Sequence, residues 1–286
     1  MIVGSSTSAA LTSGNVNIVT GSSISESGEI KLKAGTSSTN NGGDIAIESG
    51  FGGQSGGNVL IQSGVSDIGK GGSILLQTGE SASSGSISVS TGIASVGASG
   101  GITLNTGSSV AGSSGSVSIA TGQSSTSGAD IQLIAGDSSS ATNGGSILVQ
   151  SGESMSGTGG AIHIGSNGAS TQSGEVRIAS GDATSQSGSV SVSSGNAVSG
   201  TAGDIIVQGG STSTGVAGGV VFELGASEAG TGGSLKMKTG MSAQSISGSI
   251  QLESGDAQSS SGNVLLQTGS ATVGTSGSVA MQTGDA

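Results

Sequence analysis

The chain has 286 residues and a formal net charge of −11 at pH 7, and 59 of its residues are Gly and 65 are Ser. It has no Pro, Cys, Trp or Tyr, two Phe, and only 8% charged residues. These figures exclude a disulfide framework and a thiolate metal site, a collagen or polyproline rod, charge-driven disorder, and a conventional globular core rich in large side chains.

In chain order, Met1-Ile2-Val3-Gly4 matches the second half of a phrase that then recurs to the end: small–Gly–x–apolar–x–apolar–x–small–Gly. Gly72-Ser73-Ile74-Leu75-Leu76-Gln77-Thr78-Gly79 and Gly248-Ser249-Ile250-Gln251-Leu252-Glu253-Ser254-Gly255 are two examples. The first apolar position falls at Val16, Ile30, Ile45, Val59 and Ile74 and continues through Val264 to Val279, which makes 19 repeats spaced 13 to 16 residues apart. A flexible Gly/Ser linker has no such register.

Two columns are apolar in all 19 repeats, and they stand two residues apart, the period of a strand. The second column runs from Ile18 and Leu32 through Phe222 and Met237 to Met281. Beyond it comes a Ser, Thr or Ala in most repeats (Thr20, Thr78, Thr91, Thr106), then a corner residue that is Gly in 18 repeats and Asn167 in one. Asn is the residue best able to replace Gly at positive φ, so the corner is expected to be left-handed. A second Gly column (Gly14, Gly28, Gly43 and onward), broken by Ala129, marks the other corner. Between the corners lies a return segment whose second residue is tiny (Ser23, Ser81, Ala94, Ala183, Ala197, Ala257, Ala271).

The expected fold is all-β: a thin two-sided β-solenoid of about 19 coils of 13–16 residues, with Gly at the corners and parallel stacking. The return segment serves in it as a second, shorter strand. Residues 1–286 form one continuous array in this reading, apparently uncapped at both ends, since Gly284-Asp285-Ala286 closes the chain just past a corner. Open ends expose sheet edges, which points to a segment of a longer repetitive protein or to end-to-end stacking.

Between the apolar columns, outward positions carry Lys33 beside Glu48, and Lys238 between Glu223 and Glu253. These steps are read as register-fixing pairs, and Gln62 with Gln77 and Gln267 with Gln282 as short amide ladders. Leu60 with Leu75 and Ile206 with Val221 form small outward apolar strips that suit either lateral packing or scattered surface aliphatics.

Chemistry is sparse. His163 is the one His in the chain and has no second His or Cys to complete a metal site. Glu29 and Asp44 are neighbouring like charges without a base or cation arranged beside them. The Gly-rich phrases precede no helix that would make a phosphate cradle, and the regular nonapeptide of calcium-binding repeats is missing. The expectation is no enzyme, no catalytic, cofactor-binding or metal-binding residue, and no cofactor. The acidic balance argues against nucleic acid, and no apolar run is long enough for membrane insertion.

Ser-Gly-Ser-Val-Ser-Ile-Ala-Thr-Gly (114–122) and Gly-Gly-Ser-Ile-Leu-Leu-Gln-Thr-Gly (71–79) resemble the Ser/Gly-rich β-solenoid repeats of large extracellular proteins of diatoms and related algae. More loosely, they are similar to the coils of filamentous-haemagglutinin-like bacterial adhesins. The resemblance covers nearly the whole chain and implies a structural, fibrous or adhesive role at the cell surface or outside the cell. Expected partners are further copies of the chain, end to end or laterally, or other matrix components. Two rivals are an ice-binding solenoid, disfavoured because the regular Thr column points inward, and a carbohydrate-binding adhesin, disfavoured because no Trp or Tyr is present to stack on sugars.

Overall fold

Hydrogen bonds place the corners of this chain. In the computed structural model, which describes residues 3–5, 13–140 and 143–284, a second-column Gly amide repeatedly donates to the carbonyl of the preceding corner Gly. The bonds are Gly43 to Gly35 (3.0 Å), Gly57 to Gly50, Gly72 to Gly64, Gly145 to Gly136, Gly160 to Gly152, Gly218 to Gly210 and Gly233 to Gly225 (each 2.9 Å), and Gly248 to Gly240 (3.3 Å). Each bond pinches a return segment into a short loop whose two ends meet. Six of the chain's Gly–Gly pairs, at 42–43, 56–57, 71–72, 144–145, 159–160 and 232–233, close in this way through the amide of the second Gly.

The described residues that are most covered lie mainly at loop necks. The least exposed described residues are Ala34, Ser63, Thr78, Ala135, Ser151, Thr239 and Thr268, all in the small column before the corner, together with Gly52 and Gly209. A Cβ added at Gly43 would stand 3.3 Å from the Ala34 Cβ, and one at Gly72 would stand 3.2 Å from the Ser63 Cβ. At Gly209 it would run into the Gly218 carbonyl. Small residues thus face glycines because two chain segments approach to backbone contact there.

The structure corrects the expected fold. Among the described residues there is no helix, no strand and no sheet, so the expected all-β class and two-sided β-solenoid with parallel stacking are not seen there. The return segment is a loop with bends and not a second strand. No hydrophobic residue is buried among the described residues. The chain exposes 28639 Å², whereas a compact chain of 26.4 kDa exposes roughly 11,000 Å² and an unfolded one about 38,000 Å². The physical reason is the destination of the backbone hydrogen bonds. Among the described residues they close eight of the loops on themselves, and none runs from one apolar phrase to the next, so the ladder that would fix one phrase against another is missing there. Two aliphatic side chains per repeat do not offset the cost of ordering a repeat without it.

Asn167 is a second correction. No non-Gly described residue has a positive φ, and the corner glycines do not either. Positive φ occurs instead inside loops, at Gly97 (φ 91), Gly200 (φ 98) and Gly274 (φ 104).

The chain divides into two units, Met1–Ile147 and Leu148–Ala286. The first contains the necks at Gly43, Gly57, Gly72 and Gly145, and the second those at Gly160, Gly218, Gly233 and Gly248.

Candidate functional site

The two apolar columns, which carry the largest aliphatic surface, lie on the phrases between loops. Their exposure alternates along each phrase: Val59 is 52% exposed, Leu60 83%, Ile61 65%, and Val65 in the following loop 89%. The same order recurs in repeat after repeat, with the first column the most covered, the second next, and the outward and loop aliphatics nearly free. Each repeat therefore presents a pair of half-shielded aliphatics at i and i+2, with no part of the described chain covering them.

Loop hydroxyls form the second recurrent element. The residue two beyond the corner accepts a backbone N–H through its side-chain oxygen. Ser227 Oγ accepts from Gly230 at 2.8 Å, and Ser66 from Gly69, Ser154 from Gly157 and Ser242 from Ser245 at 2.9 Å. Ser37 accepts from Asn40 and Ser109 from Gly112 at 3.0 Å, and Thr212 from Gly215 at 3.2 Å. Ser23 and Ser124 accept from the residue two further on instead. These are hydroxyl-capped turns, which Ser and Thr favour because the side chain satisfies an amide that the turn leaves free. Sequence reasoning took this position as small for the sake of close approach. The signal it passed over was the Ser/Thr at this position with a Gly three residues later.

The charged residues do not converge. Lys31 Nζ pairs with Glu29 Oε1 at 3.2 Å, both largely in solvent, so the acid set beside Asp44 in the sequence is held by its own neighbour two residues away. The expected pairs Lys33–Glu48 and Lys238 with Glu223 or Glu253 are not made among the described residues, nor are the Gln62–Gln77 and Gln267–Gln282 ladders. The reason is again the absent sheet, since ladder pairs need adjacent strands. Glu253 accepts instead from Gln251 Nε2 at 2.9 Å and lines a shallow depression with Ser254, Gly255 and Asp256. His163 is exposed. Among the described residues no three His, Asp or Glu side chains come together as metal ligands, and no helix is long and apolar enough to cross a membrane.

The regular, uncovered element is the paired apolar column. Comparison with protein families, with curated proteins and with solved structures finds no match. The columns and the loops that space them are therefore interpreted on their own chemistry.

Proposed function

We propose that this is a structural, extracellular repeat protein that self-associates through its apolar columns into a fibre or matrix scaffold. The observation that carries the reading is the recurrence of two uncovered aliphatics in every repeat, at a spacing held between 13 and 16 residues. A second copy of the chain carries the same spacing, so its columns match this chain's columns repeat for repeat. Two aliphatics of this exposure offer on the order of 200 Å² per repeat, so about four or five repeats reach the roughly 800 Å² per partner of a stable interface. Composition supports the location: Lys and Arg total 6, Cys is absent, and Gly and Ser dominate. The resemblance to Ser/Gly-rich algal repeats points the same way.

Sedimentation velocity over a wide concentration range, with negative-stain microscopy of the same samples, tests the proposal. Association into large assemblies as concentration rises is the expected result. A chain that stays monomeric at the highest soluble concentration overturns it.

A further inference from the structure

Ten asparagines stand in the chain, and three of them precede Gly: Asn41, Asn143 and Asn167. Two of these three lie at loop necks of the same construction. In Asn41-Gly42-Gly43 the Gly43 amide closes the neck on the Gly35 carbonyl, and in Asn143-Gly144-Gly145 the Gly145 amide closes it on the Gly136 carbonyl. The intervening N–H groups of Gly42 and Gly144 donate to no backbone carbonyl. A Cβ at either position would meet one atom, the corner carbonyl oxygen at 3.7 Å. Gly168, which follows Asn167, has nothing within 4 Å of such a Cβ. All three asparagines are exposed.

We propose that Asn41, Asn143 and Asn167 are sites of spontaneous modification, at which the amide side chain is converted to aspartate and isoaspartate. At Asn41 the Gly42 backbone nitrogen loses its proton to solvent base and bonds to the Asn41 side-chain carbonyl carbon. The bond from that carbon to Nδ2 breaks, and Nδ2 takes up a proton and leaves as ammonia. Water then opens the resulting succinimide at one of its two carbonyls. Opening at the backbone carbonyl gives isoaspartate, and opening at the side-chain carbonyl gives aspartate. The net change consumes one water, releases one ammonia and involves no oxidation. Gly is the residue that permits this attack, because a Cβ, and a branched one above all, hinders the nitrogen's approach.

The consequence at a neck is specific. Isoaspartate adds one methylene to the backbone beside the Gly that closes the loop, and both products add a negative charge to an already acidic chain. Isoaspartate at Asn41 or Asn143 therefore opens its neck and aspartate there changes charge alone, while at Asn167 there is no neck bond for either product to open.

The test is peptide mapping by mass spectrometry on the full chain, held in mildly alkaline buffer at physiological temperature, with isoaspartyl methyltransferase labelling. Asn41, Asn143 and Asn167 are expected to convert more than roughly tenfold faster than Asn58 and Asn263, which precede Val. Gly42→Ala should slow Asn41 by a similar factor and leave Asn143 and Asn167 unchanged. Equal rates at Asn41 and Asn58, or a Gly42→Ala variant that converts Asn41 at the original rate, overturns the proposal. In the aged protein, hydrogen exchange at Gly43 should be faster, and unchanged exchange in molecules converted to isoaspartate refutes the effect on the neck. None of these readouts depends on whether the chain self-associates.

Discussion

The Gly230 amide donates to the Ser227 hydroxyl at 2.8 Å, and the Gly at the same place in three other loops, at positive φ, has Ala where Ser227 stands. Gly97, Gly200 and Gly274 lie three residues after Ala94, Ala197 and Ala271. Gly69, Gly112, Gly157, Gly215 and Gly230 lie three residues after Ser or Thr, and none has positive φ. A hydroxyl that accepts the amide holds this Gly in the ordinary region, and without it the turn takes the left-handed conformation that Gly alone adopts at no steric cost.

Ser227→Ala should therefore move Gly230 to positive φ. The lost acceptor costs about 0.5–1 kcal/mol locally, since the freed amide finds water. Three-bond couplings at Gly230 and its hydrogen-exchange rate report both effects, and Ala197→Ser should produce the reverse at Gly200. Unchanged couplings in both variants would show that the hydroxyl does not select the turn.

Substitution of the loop glycines separates the two classes. Gly97→Ala places a Cβ at φ 91, where an L-residue is destabilised by about 1–2 kcal/mol. Gly97→Asn should recover part of that, because Asn tolerates the left-handed region. At Gly112 a Cβ would meet only the Ser109 hydroxyl, at 3.5 Å, so Gly112→Ala should be nearly neutral. Amide exchange across loops 92–100 and 107–115 measures the contrast, and equal responses to the two Ala variants would contradict it.

The necks make a third prediction. A Cβ at Gly233 would stand 3.1 Å from the Leu224 Cβ and 3.4 Å from the Gly225 nitrogen, so Gly233→Ala has to push the two sides of the neck apart. The Gly233–Gly225 bond should be lost, a change of about 1 kcal/mol that speeds exchange of the residue 233 amide roughly fivefold. Gly232→Ala, whose Cβ would lie 3.8 Å from the Gly225 carbonyl oxygen, is the neutral control. Similar exchange in the two variants would mean that the neck does not depend on the missing Cβ.

The repeat was legible in the sequence because it rests on covalent order: apolar residues at i and i+2, a small residue, and a corner Gly. Which aliphatics are the more covered was also legible, since Val59 and Ile61 lie on one side of the phrase and Leu60 on the other. The partner of each phrase was not. Alternation at Ile45 and Ile47 is satisfied by any surface that covers one face, and it does not say whether that surface is the next repeat or another molecule. The glycines misled for a related reason. Gly35 and Gly64 looked like left-handed corners but keep ordinary φ, while Gly43 and Gly72 opposite them are needed for close approach, and a Gly column alone does not distinguish the two uses. Nothing in Asn167 by itself showed that its backbone would stay in the ordinary region.

Self-association through the columns has a definite dependence on salt and on column residues. Every copy carries a formal charge of −11, so copies repel, and that repulsion is screened as the Debye length falls to about 10 Å at 0.1 M ionic strength. Aliphatic contact between columns is insensitive to this screening. Association should therefore strengthen as salt rises from low to physiological concentration. If contacts like Lys31–Glu29 instead held copies together, the same titration would weaken it. Replacing Ile74 and Ile87 in the first column with Glu should abolish assembly in that stretch, because each substitution exchanges an aliphatic contact for a charge that must be desolvated. Ser88→Glu, on the outward side of the phrase, should change association only through its added charge and recover at higher salt. Sedimentation velocity on the three proteins at two ionic strengths distinguishes the cases. Association of the Ile74→Glu, Ile87→Glu variant at wild-type strength would remove the columns as the assembly surface.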